Sequence, residues 1–358
     1  MGALVHGAAR RARSGGLSCL GPARPYIAGN FRQIVPQAAS RLRPGSEDFD
    51  VTNTAPTTDL DRVIGFTIPG RHTRGRVARL GPVLDEILSA HAYPEQIERL
   101  LAEALTLTAL LGSTLKQAEG QMTLQAQTQG GIVSLLVCDY KNGELRGYVQ
   151  FDALRLSQLG KNPSLFALFH KGHLAITFDQ ATTKERYQGI VPLDAGSLAE
   201  AAQSYFLQSE QIPSLVRLGA RRDRETGKWI GGGLFLQHLP EGEAGRERLH
   251  VRLDHPEWQH VEALGSTMGV DELADAAIPL ESLVWRLFNE EEEVRVLSGA
   301  DLARGCRCDP AYITEVLAKF PEEERAAMAD EAGVIAVDCV FCSKKFPVKL
   351  ADFVPPPL

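Results

Sequence analysis

The sequence predicts an α+β protein in three parts: an N-terminal domain of mixed sheet and helix, a helical linker, and a small C-terminal four-cysteine domain. Three observations predict it. Hydrophobic spacing switches from helical to alternating near Gly120. Acidic residues concentrate in 241–300, and Cys306, Cys308, Cys339 and Cys342 gather near the end of the chain.

Residues 1–56 stand apart from the rest. No Asp or Glu precedes Glu47, whereas Arg10, Arg11, Arg13, Arg24, Arg32, Arg41 and Arg43 fall in that stretch. An Arg-rich, acid-poor start suits an organelle transit peptide, but no clear amphipathic stretch accompanies it. The expectation is a disordered extension, or a start codon set too far upstream with initiation near Val51.

Residues 57–240 read as one α+β domain. Pro82 can open a helix at its first position, with Val83, Leu84, Ile87 and Leu88 on one face. A second helix opens at Pro94 and carries Ile97, Leu100, Leu101, Ala104, Leu107, Thr108 and Leu111 at helical spacing. After Gly120, Met122, Leu124 and Ala126 alternate with polar residues as in a half-buried strand. Ile132–Cys138 and Leu145–Phe151 flank Asn142-Gly143, a hairpin turn signal. His173–Phe178 and Tyr187–Leu193 are further strands, Ser197 caps a helix running to about Ser209, and Leu215–Ala220 with Gly231–Leu239 form a hairpin.

Residues 241–300 hold 14 acidic residues against 5 Arg, a net charge of -9. Leu280, Leu283, Val284, Leu287 and Phe288 form an amphipathic stripe that Pro279 can start. The run Glu290 to Glu293 follows, and anions near a helix C-terminus oppose its dipole. A metastable linker helix that needs a partner surface is expected. In residues 301–350, Asp309 and Pro310 start one helix, Pro321 starts another, and Val334–Val337 and Phe346–Leu350 are strands. Residues 351–358 are a tail.

Composition excludes some function classes. A net charge of -7 disfavours a nucleic-acid partner, because phosphate binding needs a basic surface. The densest apolar run, Ile132–Cys138, is far short of the ~20 residues of a membrane span. Arg10, Arg11 and Arg13 break any secretory signal, so a cytoplasmic location without a membrane partner is expected. No nucleophile–base pair or cofactor motif stands out in the large domain, so no enzyme activity is expected. Gly231-Gly232-Gly233 lacks the Lys-Ser/Thr of a phosphate loop and reads as close strand packing.

The cysteines carry the chemistry. Cys306-x-Cys308 and, thirty residues on, Cys339-x-x-Cys342 supply the four thiolates of a tetrahedral zinc site, one zinc per chain. With all four positions filled, structural or switching zinc fits better than catalytic zinc. Some fifty residues with two short helices make too small a core, and metal binding at such sites contributes on the order of 10–16 kcal/mol of folding free energy. Thiolates are also the oxidisable groups. Spacing alone leaves a plain zinc staple on equal footing with a redox switch, and a zinc ribbon that binds nucleic acid is a third reading that the acidic surroundings disfavour. Cys138 reads as a buried small hydrophobe, Cys19 lies in the doubtful extension, and His250, His255 and His260 read as exposed linker residues. Tyr205 and Trp285 read as packing residues.

At these residues the chain resembles the redox-regulated chaperone family called heat shock protein thirty-three. Tyr187-Gln188-Gly189-Ile190-Val191 is similar to the family's Tyr-Gln-Gly segment, and Tyr205 to Pro213 to its Tyr-Phe-x-x-Ser-Glu-Gln-x-Pro motif. Val284-Trp285-Arg286-Leu287-Phe288 with the Glu run resembles the end of its linker. Order and spacing agree over about residues 59–350, and residues 1–56 have no counterpart. The resemblance implies an ATP-independent holdase, inactive when reduced and zinc-bound. Oxidation would form Cys306–Cys308 and Cys339–Cys342 bridges, release zinc and unfold the linker. Unfolded or partially unfolded clients would then bind, with Leu280, Leu283, Val284, Leu287 and Phe288 made available, commonly in a homodimer.

Overall fold

In the computed structural model, which describes residues 40–41, 59–115, 120–180, 186–239 and 255–353, a two-residue strand β1 (Ser40–Arg41) precedes β2 (Arg62–Ile68) and β3 (Thr73–Leu80). Helix α1 (Pro82–Leu88) starts at Pro82, and α2 (Glu95–Gly112) follows with Pro94 as its N-cap. Strands β4 (Gln121–Thr128), β5 (Val133–Lys141) and β6 (Glu144–Phe151) form a meander. Asn142 and Gly143 both take positive φ, 50° and 82°, as the turn between β5 and β6 requires. Two short helices, α3 (Ala153–Leu156) and α4 (Leu165–Phe169), lead to β7 (Gly172–Asp179) and β8 (Arg186–Pro192). Ser197 caps α5 (Leu198–Tyr205) by accepting from the Glu200 amide, and a π-turn over Phe206–Glu210 leads to β9 (Ser214–Arg222) and β10 (Trp229–His238).

The acidic segment contributes α6 (Pro256–Ser266), α7 (Val270–Leu273), α8 (Leu280–Phe288) and β11 (Arg295–Asp301). The C-terminal part holds β12 (Ala303–Arg304), α9 (Pro310–Ala318), α10 (Glu322–Met328), β13 (Val334–Asp338) and β14 (Lys345–Lys349). The architecture is α+β, as the sequence predicts. Among the described residues, no helix is long and apolar enough to cross a membrane.

Two six-stranded sheets enclose α2. Sheet one runs β1-β11-β2-β3-β10-β9 and sheet two β12-β6-β5-β4-β7-β8. Helix α2 is buried at every position from Ala104 to Gly112 and packs on strands of both sheets. The core around it also takes in Cys138, which is fully buried, as expected. Strand β10 is buried along its whole length. Its glycines allow this: a Cβ on Gly231 would lie 2.4 Å from Thr106 Oγ1 of α2, and one on Gly232 2.4 Å from the Leu273 carbonyl of α7 on the opposite face.

The opposite face of sheet one carries the second core. Ile64, Phe66, Ile68, Val77, Leu234 and Leu236 meet Trp258, Val261, Leu273, Leu280, Leu283, Val284 and Phe288 from α6, α7 and α8. Polar contacts hold the same helices. Arg79 is fully buried, and its guanidinium donates to the carbonyls of Leu273 at 2.9 Å and Ile278 at 2.7 Å. Asp59 accepts from the Leu280 amide at 2.9 Å.

The Glu run differs from expectation. Helix α8 ends at Phe288, so Glu290 to Glu293 lie beyond its last turn. Glu291 is nearly buried and accepts from Arg71 and binds His260, both at 2.8 Å, while Glu293 pairs with Arg295. Burial opposes ionisation of Glu291, but the hydrogen bonds from Arg71 and His260, with the Arg71 charge beside it, outweigh it and hold the carboxyl below its ordinary range. Trp285, expected to pack, is 49% exposed, because the stripe from Leu280 to Phe288 turns it outward. Tyr205 is buried and donates to Glu210, as a packing residue should. His260 is exposed but hydrogen-bonded to Glu291, His255 packs on the buried ring of His238 at 5.1 Å, and Cys19 and His250 lie outside the described residues, as does nearly all of the extension 1–56.

Candidate metal centre

Two loops assemble the cysteine centre. The first follows β12, which pairs in parallel with β6 through Ala303↔Glu144 and Arg304↔Leu145. The Gly305 amide donates to the Leu145 carbonyl at 2.9 Å. A Cβ on Gly305 would lie 2.3 Å from Glu144 Cβ, so only glycine lets the chain approach β6 this closely. Cys306 and Cys308 follow, and Asp309 then caps α9 by accepting from the Ala311 amide at 2.9 Å. The second loop is the β13–β14 turn. The Cys339 amide donates to Lys344 O at 2.9 Å and the Ser343 amide to Cys339 O at 2.8 Å, which turns Cys339 and Cys342 toward the first pair.

The four sulfurs converge. Cys306 and Cys339 Sγ are 3.6 Å apart, Cys308 and Cys342 Sγ 3.7 Å, and all four lie within 4.8 Å of one another. Zinc–sulfur bonds of ~2.3 Å in a tetrahedron put sulfurs about 3.8 Å apart. A disulfide would need ~2.05 Å, and all four cysteines are free. The donor set and its spacing therefore fit a tetrahedral thiophilic cation with no open position.

Crowding divides the thiols. Burial, then hydrogen bonding to Cys342 and Cys308, pushes Cys306 up to about 12, and burial also raises Cys308. Burial raises Cys342 too, but the Lys344 amide and the neighbouring thiols outweigh it and bring Cys342 below its ordinary value. Four sulfurs this close cannot all ionise on their own account; a cation among them is what stabilises four thiolates together.

The unit around them has little core of its own. Leu317, Ile335 and Val348 are its buried hydrophobic residues, with Ile313, Ala329, Val337, Leu350 and Phe353 partly covering them. It leans instead on sheet two. Phe341, inside the Cys-x-x-Cys turn, meets Tyr148 edge-on at 4.9 Å and lies under the Arg146 guanidinium at 4.0 Å. Arg146 is held by the buried Asp139 at 2.6 Å. Arg307, between Cys306 and Cys308, reaches Gln121 at 3.3 Å and stands 3.9 Å from the same Asp139. His91 bridges from the α1–α2 loop: its Nε2–H donates to Phe341 O at 3.3 Å and its Nδ1 accepts from Ser343 Oγ at 3.2 Å, with the ring stacked on Tyr93. Burial lowers the His91 pKa, which favours this neutral form. Each cysteine loop thus carries, between its cysteines, one side chain that grips the core.

Sequence reasoning singled out all four thiols, and the structure brings them together. It missed His91, Asp139, Arg146, Tyr148 and Arg307, whose roles arise from contacts across more than a hundred residues, and no local motif marks them. The stripe Leu280, Leu283, Val284 and Phe288 is buried and Leu287 partly so, but on sheet one, apart from the thiols on sheet two; β11 and β12 join the two places.

A two-sheet α+β core with a small all-cysteine unit seated on one sheet edge is the class that fold and site define. The profile of the family described as "Hsp33 protein" matches residues 61–349. The chain belongs to that family. It is 40% identical over 303 residues to a "33 kDa chaperonin" of Caulobacter vibrioides, covering 82% of this chain and 97% of the relative. A "33 kDa chaperonin" of Shewanella loihica is 35% identical over 274 residues, covering 76% and 87%. The crystal structure of the 33 kDa chaperonin of Thermotoga maritima shares the fold, with a TM-score of 0.67 at 24% identity, covering 82% of this chain and 96% of that one.

Proposed function

We propose that this chain is an ATP-independent chaperone, a holdase for unfolded or partially unfolded proteins, and that its four-thiol centre switches it. The convergence of Cys306, Cys308, Cys339 and Cys342 is the observation that carries the reading. Bound zinc, one per chain, would supply the folding free energy that a core of three buried hydrophobic residues lacks. Oxidation removes those ligands. With hydrogen peroxide as oxidant, one thiol of a pair becomes a sulfenic acid with release of water, and the second thiol displaces a second water to close the disulfide. Two such steps, giving Cys306–Cys308 and Cys339–Cys342, consume two peroxides. The short sulfur contacts are the cross pairs Cys306–Cys339 and Cys308–Cys342, so this pairing rests on the family resemblance and not on distance.

The loops that hold Phe341 and Arg307 against sheet two then lose their shape. β12 and β11 run into the Arg307 loop, and α8 leads into β11, so loosening spreads back toward the acidic segment. That exposes the apolar stripe from Leu280 to Phe288 together with the face of sheet one beneath it, as a surface for clients. The acidic charge keeps such a surface in solution. The oxidised chain works as a homodimer in the cytoplasm, without nucleic acid, membrane or enzymatic turnover. The test is zinc content and suppression of client aggregation, measured on one sample before and after mild peroxide treatment. Zinc lost as activity appears supports the switch; activity unchanged by oxidation, with zinc retained, leaves a structural zinc site in its place.

A further inference from the structure

Strand β2 is an inner strand only because β11 covers it. On its other side β2 pairs with β3 over seven residues in unbroken register, from Arg62↔Arg79 to Ile68↔Thr73. Against β11 it makes five matched pairs, interrupted by a bulge between Leu297 and Ala300. β11 is a poor strand by composition, with Ser298 and Gly299 at the bulge, and it is exposed from Leu297 to Asp301. β2 is the reverse: Val63, Ile64, Phe66 and Ile68 are buried, and no proline or charge interrupts Val63–Ile68. Without β11, β2 would present a long apolar edge with a row of unpaired amides and carbonyls, the kind that proteins normally cover or charge.

The occupant is indicated by what sits there. β11 lies on this edge as an extended antiparallel segment, and Val294 and Val296, two residues apart, pack toward Ile64, Phe66 and Ile68. Beyond them the bulge sets Ser298 and Gly299 beside Ile64 and turns Ala300 to the other face, paired with Val63, so the Ile64 end of the apolar track is met by small residues. An extended polypeptide with apolar residues at every second position would pair with the same backbone and fill that track better.

We propose that the edge of β2 is a strand-addition site for an extended, alternately apolar segment of a client protein, masked by β11 until the switch opens. This rests on the redox reading for its trigger, though not for its chemistry. The test uses the full chain and a labelled nine-residue peptide of alternating Val and Thr with Lys ends. Two further versions are N-methylated on one or the other alternate set of backbone nitrogens. Anisotropy is read on reduced zinc-loaded chain, on oxidised chain, and on a reduced Val296→Pro variant, in which β11 is broken without oxidation. The plain peptide should bind oxidised chain and variant, and one methylated version should bind at least tenfold more weakly. Amides of 62–68 should regain protection from hydrogen exchange when the plain peptide binds. Binding by Val296→Pro but not by oxidised wild type would keep the edge and reject the redox trigger. Equal binding of all three peptides overturns strand addition, since side chains alone would then suffice. Protection of 62–68 that appears without peptide and rises with protein concentration overturns it in favour of a second copy of the chain.

Discussion

Phe341→Ala separates docking of the cysteine unit from assembly of its thiols. Phe341 is not a ligand, and its backbone position within the turn survives truncation, so the four sulfurs keep their cage. The variant loses the edge-on contact with Tyr148, ~0.5–1.5 kcal/mol, and the Arg146 guanidinium over the ring, ~0.5–2 kcal/mol. A combined loss of about 2 kcal/mol corresponds to roughly a 30-fold shift toward the undocked state. Reduced Phe341→Ala should therefore hold one zinc per chain, yet the amides of Ala303 and Gly305, which bond to the Gly143 and Leu145 carbonyls, should exchange about 30-fold faster. Its holdase activity should appear at a lower peroxide dose. Tyr148→Ala should behave alike, and the double variant should be less than additive. Unchanged exchange at 303–305 with an unchanged oxidant threshold would refute the reasoning and move the docking energy to Arg307 and Asp139.

Other outcomes follow from the same contacts. Arg79→Met leaves the Leu273 and Ile278 carbonyls buried without a donor, at a cost of about 3 kcal/mol; residues 270–280 should exchange faster and clients bind without oxidation, and Arg79→Lys should rescue little, because a point charge cannot span both carbonyls. The Glu291 carboxyl is held below its ordinary value of 4.5, so its clamp on Arg71 and His260 is fully present above that pH and lost as pH falls through the lower folded value. Tryptophan fluorescence should report wild-type linker loosening below pH 4.5, and Glu291→Gln, already lacking the ionic clamp, should show a flatter profile. Cys339→Ser should lower zinc affinity sharply by chelator competition, since a hydroxyl replaces a thiolate poorly; undiminished zinc would contradict the assignment of that ligand.

Helix starts were legible where a residue enforces them: Pro82 and Pro310 sit at first helical positions, and the Ser197 and Asp309 side chains cap amides. The Asn142-Gly143 hairpin was legible for the same local reason. Strands β2 and β3 were not picked out. β2 is apolar on both faces, and β3 carries Arg74, Arg76 and Arg79, of which Arg79 is buried to bind carbonyls about two hundred residues away. Helix α6 escaped too, because only Trp258, Val261 and Gly265 of its eleven residues are buried. The thiols were legible because ligand spacing is local. The Glu run misled, because charge counting cannot see that Arg71 and His260 flank Glu291.

The central claim is that losing the four-thiol cage unfolds 301–350, loosens 241–300 and leaves 57–240 folded. Hydrogen exchange, region by region, on reduced zinc-loaded and oxidised zinc-free chain tests it most directly. The account predicts near-complete loss of protection in 310–349, partial loss in 256–301, including Leu280 to Phe288, and unchanged protection in α2 and β10. Equal protection of 280–288 in the two states, alongside full holdase activity in the oxidised one, would contradict it.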